Sequence, residues 1–193
     1  MSERTIKSGG VAGVLAAALF ILSAVTDTVA PIDVDYDSPN EYVYVAASTV
    51  AFLAVVVAVI GVRALAARTG RPARLATVAA WLVGVGYGAV GLLNIVNLLV
   101  GGRSLVMVRL GFAVVILVGS AMLGVVVLRM HLLPWWCGAL LVVAFPVGHF
   151  ANALFASAEN ILLALLWGWV GVSLLVRATA PVEPAVGQST RVS

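Results

Sequence analysis

The sequence predicts an all-α protein: an integral membrane bundle of six transmembrane helices with both termini cytoplasmic. Three observations predict it. The 193 residues are 63% hydrophobic and only 10% charged, where a soluble domain carries about 25% charged residues. The apolar residues fall into six runs, most of them near the roughly 20 residues that cross a bilayer. The basic residues gather on one side of the topology those runs define, as the positive-inside bias of membrane proteins requires.

Composition also excludes. A mean hydropathy of +1.14 leaves no way for so short a soluble chain to hide its apolar surface, so one lipid-solvated domain is the natural count. The net charge of +3 comes from residues lying between apolar runs. They read as topology determinants and contacts to membrane lipids. No basic patch is interleaved with exposed aromatics, which argues against nucleic acid. Cys137 is the single cysteine, so no intramolecular disulfide and no cysteine-based metal motif is available. Ten Arg against one Lys, with much Ala, Val and Gly, associates the chain with a GC-rich bacterial genome.

Residues 1–8 form a short polar lead with Arg4 and Lys7. Span 1 covers 9–29. A charged lead before an apolar run also describes a signal peptide, but Pro31 would follow the cut and further spans follow, so the span reads as uncleaved. Gly9, Gly13, Ala17, Phe20, Ala24 and Asp27 share one side, and small faces let helix backbones approach closely. Residues 30–41 hold Pro31, Asp33, Asp35, Asp37, Pro39 and Glu41. The alternating acids suggest a calcium loop, yet its central Gly and closing Glu are missing. A plain acidic loop is the simpler reading.

Span 2 covers 42–62, with Tyr36, Tyr42 and Tyr44 placed at the interface, where amphipathic rings are favoured. Residues 63–74 carry Arg63, Arg68, Arg71 and Arg74, the strongest topology signal in the chain. Span 3 covers 75–100. Its Gly84-x-x-x-Gly88 reads as a packing face rather than a nucleotide fingerprint, and Tyr87, Asn94 and Asn97 share one side. A short turn at 101–104 makes spans 3 and 4 a hairpin. Span 4 covers 105–128, with Arg109 one turn in and a small pair at Ser120 and Gly124. Span 5 covers 132–154. Pro134 suits its start, Trp135 and Trp136 suit the interface, and Pro146 should kink it before His149. Span 6 covers 159–176. Trp167 and Trp169 sit too deep for an interfacial belt and should face lipid or a partner helix. The domain is thus 9–176, followed by a disordered cytoplasmic tail, 177–193.

With both termini inside, Arg4, Lys7, Arg63, Arg68, Arg71, Arg74, Arg129, Arg177 and Arg191 are cytoplasmic, and only Arg103 and Arg109 lie outside. The same topology gathers polar residues at one depth. Asn94 and Asn97 lie within about 9 Å of the outer end of span 3, and Arg109 about 6 Å into span 4, at 1.5 Å rise per residue. Asp27 closes span 1, His149 and Asn152 end span 5, and Glu159 and Asn160 open span 6. The eight form a candidate ligand-binding layer in the outer leaflet.

Polar groups in a membrane are costly, so such a layer needs a reason. One is structural: amides hydrogen-bonding across helices and Arg109 snorkelling outward or pairing with Asp27 or Glu159. The leading functional reading is a non-enzymatic protein that binds a small lipidic or polar ligand, or a partner, through the layer. A second is an acid–base enzyme acting on a lipid or isoprenoid, with Asp27, Glu159 and His149 as proton carriers. A third is a small-solute or proton-coupled transporter. No three-plus-three repeat supports that one: the loops at 30–41 and 63–74 are long, those at 129–131 and 155–158 short. No cofactor and no metal is expected. His131 and His149 stand about 27 Å apart along a helix, too far to share a haem. No Ser-His-Asp, His-Glu-x-x-His or P-loop pattern occurs. The Gly-rich helix faces offer a route to a homo-oligomer.

Overall fold

The computed structural model describes residues 3–29, 38–69, 74–100, 106–152, 154–155 and 157–179. The alternating acids at 33–37, Tyr36, the breaker around Arg71, the turn at 101–104 with Arg103, and the tail beyond 179 lie outside the described residues. Those described form six helices and no strands: α1 (Glu3–Val29), α2 (Pro39–Arg68), α3 (Arg74–Val100), α4 (Val106–Met130), α5 (Trp135–Ala151) and α6 (Ala158–Thr179). Five of them are long and apolar enough to cross a membrane.

α5 is the exception. The sequence suggested a span over 132–154, but the helix has 17 residues, about 25 Å at the helical rise. Pro134 stands at its N-cap position. It brings no N–H to the ladder, and the helix start is where a proline costs least. Leu132 and Leu133 are buried in the preceding turn. At the far end the Asn152 N–H bonds the Gly148 carbonyl and the chain turns. α5 continues through Pro146 as one element.

The other helices run longer than their apolar cores. α1 begins at Glu3, where Glu3 and Lys7 pair at 2.7 Å one turn apart. α2 begins at Pro39 because Ser38 and Glu41 form a capping box: the Ser38 hydroxyl accepts from the Glu41 N–H at 3.4 Å, and the Glu41 carboxylate from the Ser38 N–H at 3.2 Å. Glu41 is thus a buried cap, not one more solvated loop acid. Arg63 and Arg68, read as loop, lie in the last turns of α2. α4 ends on His131, whose φ of 51° is left-handed. Its N–H bonds the Leu128 carbonyl, and the Leu132 N–H bonds that of Val127, the two bonds of a Schellman cap.

Each helix packs on its neighbour in sequence and α6 returns to α1, closing a ring, with α2 also touching α6. The helices are apolar all round, so they sort their faces by size. On α1 the buried side is mostly small, with Gly9, Gly10, Ala12, Gly13, Ala16 and Ala17 beside the larger Ile6 and Phe20, while Val11, Leu15, Ile21 and Leu22 point outward. Lipid tails are as apolar as leucine, so burying leucine gains little; close approach of backbones gains dispersion contacts. A Cβ on Gly9 would stand 2.6 Å from the Gly61 Cα of α2, and one on Gly13 2.8 Å from the Gly171 Cα of α6. The Gly84–Gly88 face turns to Val56 of α2, and Gly124 meets Gly138 between α4 and α5. These glycine faces are therefore used inside the chain. Trp167 is wholly buried, whereas Trp169 is half exposed against the edge of Trp136. Cys137 is buried.

Gly13→Ala tests this packing. Its methyl group would meet the Gly171 Cα and the Trp167 carbonyl, and the loss expected from overpacking is about 1–3 kcal/mol. Gly111 has nothing within 4 Å of an added Cβ, so Gly111→Ala should stay within about 0.5 kcal/mol of wild type. Unfolding of the detergent-solubilised protein, followed by circular dichroism, measures both.

Candidate functional site

At the end of the bundle where α1 finishes and α6 begins, the ring encloses a cavity of about 420 Å³. Its inner wall is apolar and aromatic: Phe52 of α2, Tyr87 and Val90 of α3, Ile116 of α4 and Phe145 of α5. Phe52 and Tyr87 stack at 5.6 Å between ring centroids, with Phe20 edge-on at 5.5 Å and Trp167 at 6.1 Å. Four helices thus meet in one column of rings, which fixes the floor. The mouth is polar. Arg109 of α4 faces His149 and Asn152 of α5 and Glu159 of α6 around the opening.

Glu159 is the best-held of these groups. Its carboxylate accepts from the Asn152 amide at 3.4 Å and lies 3.8 Å from His149 Nδ1. Its backbone N–H donates to Asn152 Oδ1 at 2.9 Å. The two Asn152 contacts lock the α5–α6 corner, since one amide satisfies both ends of the residue that opens α6. Gly148 makes room for this: a Cβ there would stand 2.9 Å from the Glu159 Cα. Among the described residues Arg109 makes no ion pair. It is exposed, and its charge acts on Glu159 and Tyr44 only through space.

Of the eight residues expected to share one layer, the structure gathers Arg109, His149, Asn152 and Glu159 around the cavity. The rest serve elsewhere. Asp27 accepts from the Ser157 hydroxyl and ties the end of α1 to the α5–α6 turn. Asn94 is buried and donates to Ser48 of α2 at 3.4 Å, a bond across the α2–α3 interface. Asn160 is buried facing the Tyr44 hydroxyl. Asn97 is half-buried and does not line the cavity.

Two participants escaped the sequence reading. Tyr44 seemed an interfacial anchor, but it is half-buried, within electrostatic reach of Asp27, Arg109 and Glu159. Ser157 carried no signal at all. It is buried, with a φ of 64°, a left-handed conformation that costs a non-glycine residue about 1–2 kcal/mol. Its bond to Asp27 gives a reason to keep a serine there. Tyr44 falls four positions before Ser48, itself the partner of Asn94. That shared helical face was the available clue.

No family model, curated protein or solved structure matches this chain. The site's own chemistry therefore carries the functional argument. That chemistry is a cation facing a carboxylate–imidazole–amide cluster across an apolar pocket. Among the described residues no three His, Cys, Asp or Glu side chains cluster as a metal site.

Ser157 supplies a test of the corner. Ser157→Ala removes the hydroxyl bond and keeps the backbone strain, whereas Ser157→Gly removes both. The alanine variant should be the less stable of the two by about 1 kcal/mol, read from unfolding midpoints in one detergent.

Proposed function

We propose that this chain is a six-span protein of the cell membrane, termini in the cytoplasm, whose outer-leaflet cavity binds a small amphiphilic molecule bearing an anionic group. The reading is non-enzymatic. α5 would cross as the sixth, short span, which locally thinned or tilted lipid can accommodate. Support for the orientation comes from the basic residues, which the alternating helices divide nine to two.

The observation that carries the ligand reading is Arg109. A guanidinium beside an apolar pocket, with no carboxylate paired to it among the described residues, suits a carboxylate or phosphate that it can grip in two places. Phe52, Tyr87, Ile116 and Phe145 then offer the apolar part of the ligand a closed end. Apolar walls with a few convergent polar groups are the ordinary make-up of a small-molecule site.

One observation favours a second reading. His149 and Glu159 stand 3.8 Å apart at the cavity mouth, near enough to exchange a proton with a bound lipid or isoprenoid. Asp27, engaged by Ser157 and absent from the cavity wall, drops out of that mechanism.

Native mass spectrometry from gentle detergent separates the readings. The wild type should carry a discrete co-purified molecule. Loss of one charged hydrogen-bond partner is worth about 1.5–3 kcal/mol, so Arg109→Ala should reduce its occupancy at least about tenfold while circular dichroism stays unchanged. A binder should retain the same molecule in Glu159→Gln. An enzyme should accumulate one of different mass there, as unreacted substrate. A wild type that carries nothing, and gains no thermal stability from added anionic amphiphiles, would remove both readings.

A further inference from the structure

The opposite end of the bundle holds a second concave site, separate from the cavity just described. It is a groove of about 290 Å³ between α2 and α3, lined by Val56, Ile60 and Arg63 on one side and Ala80, Trp81, Gly84 and Val85 on the other. Positions 56, 60 and 63 follow one another along a helical stripe, as do 77, 81 and 84 on the facing helix. The groove therefore runs along the helix axes. Arg63 stands at one end, and Val56 lies about 10 Å further along at the helical rise.

Arg63 is held rather than loose. Its Nε donates to Thr77 Oγ1 of α3 at 3.3 Å, which holds the guanidinium at the groove that it lines. No carboxylate pairs with it among the described residues. The described acid at this end, Glu3, is engaged by Lys7, while Arg68 and Arg74 add positive charge nearby. Trp81 is two-thirds exposed beside the groove. Gly84 leaves it open: a Cβ there would meet only a Val56 methyl, at 3.8 Å.

We propose that this groove binds one anionic glycerophospholipid, its phosphate on Arg63 and one acyl chain along Ile60, Val56, Trp81 and Gly84. The charge selects the head group, since a guanidinium fixed by Thr77 presents paired donors to phosphate oxygens. Shape selects the tail, since the groove is apolar, elongated and as narrow as two helices. The surrounding basic residues lie on the side where anionic lipid is attracted to polybasic segments. The site does not depend on the outer cavity, and either can fail alone.

Trp81 gives the direct readout. The protein is reconstituted in phosphatidylcholine vesicles containing a minor fraction of phosphatidylglycerol, and bromine is placed on the acyl chains of one lipid at a time. Trp81→Phe identifies the part of the tryptophan signal that belongs to this groove. Brominated phosphatidylglycerol should quench that part more than its mole fraction allows, and brominated phosphatidylcholine should not. Arg63→Ala should weaken the preference about fivefold, the change that matches about 1 kcal/mol for one basic residue at an anionic surface. Thr77→Val should weaken it with the charge retained. Gly84→Leu should fill the groove and abolish the preference, leaving each lipid to quench in proportion to its mole fraction. Equal quenching by the two lipids in the wild type overturns the proposal. So does an Arg63→Ala protein with undiminished preference, or an equal loss in Arg74→Ala, which would make the attraction a general property of the basic end.

Discussion

How near α1 can come to α2 and α6 decides whether six helices close into a ring. α1 lies between those two, and its backbone approaches each so closely that a methyl group on Gly9 or Gly13 would overlap the facing glycine. In water such helices would be gathered by burying large side chains. In lipid that gain is largely absent, because a leucine facing outward is already in hydrocarbon. Small residues at the contact and large ones outside are the arrangement that remains. The closure of α6 on α1 also sets one end of Asp27's bond to Ser157, so a packing constraint among glycines determines which polar groups meet at the far end of the bundle.

The same constraint explains why a cavity exists. α1, α2 and α6 form a tight trio, through Gly9 on Gly61 and Gly13 on Gly171. Across the ring the space is bridged by rings, with Phe52, Tyr87 and Trp167 filling it at one level. Beyond that level the cavity opens to its polar mouth. Asn152 organises it, since its single amide meets both the carboxylate and the backbone N–H of Glu159.

Legibility in the sequence varied with the range of the interaction. The start of α2 was readable in principle, because Ser38-Pro39-Asn40-Glu41 is a capping box with proline at its second position. The acids that precede it mask that signal, because they make the whole stretch resemble a solvated loop. The short α5 was half readable, from Pro134. Its early end was not, because Leu154 and Phe155 continue the apolar pattern without continuing the helix. Rise per residue put Arg109, His149, Asn152 and Glu159 at a common height, and the four line one cavity. Depth could not say that Asn94, at a similar level, turns instead to Ser48.

What the sequence determined by itself was the solvent and the periodicity. Its hydropathy calls for long helices apolar enough to cross a membrane, its prolines and caps bound them, and its rise per residue places polar groups at common heights. The tertiary structure decided which of those groups face one another. A helix that is apolar on every side has no amphipathic stripe to announce its inner face, so rotation about its axis is set by the fit of small residues against a neighbour. That fit is a property of two surfaces at once. It turned Tyr44 inward, sent Asp27 to Ser157, and left Arg109 facing a pocket with no ion pair to another described residue.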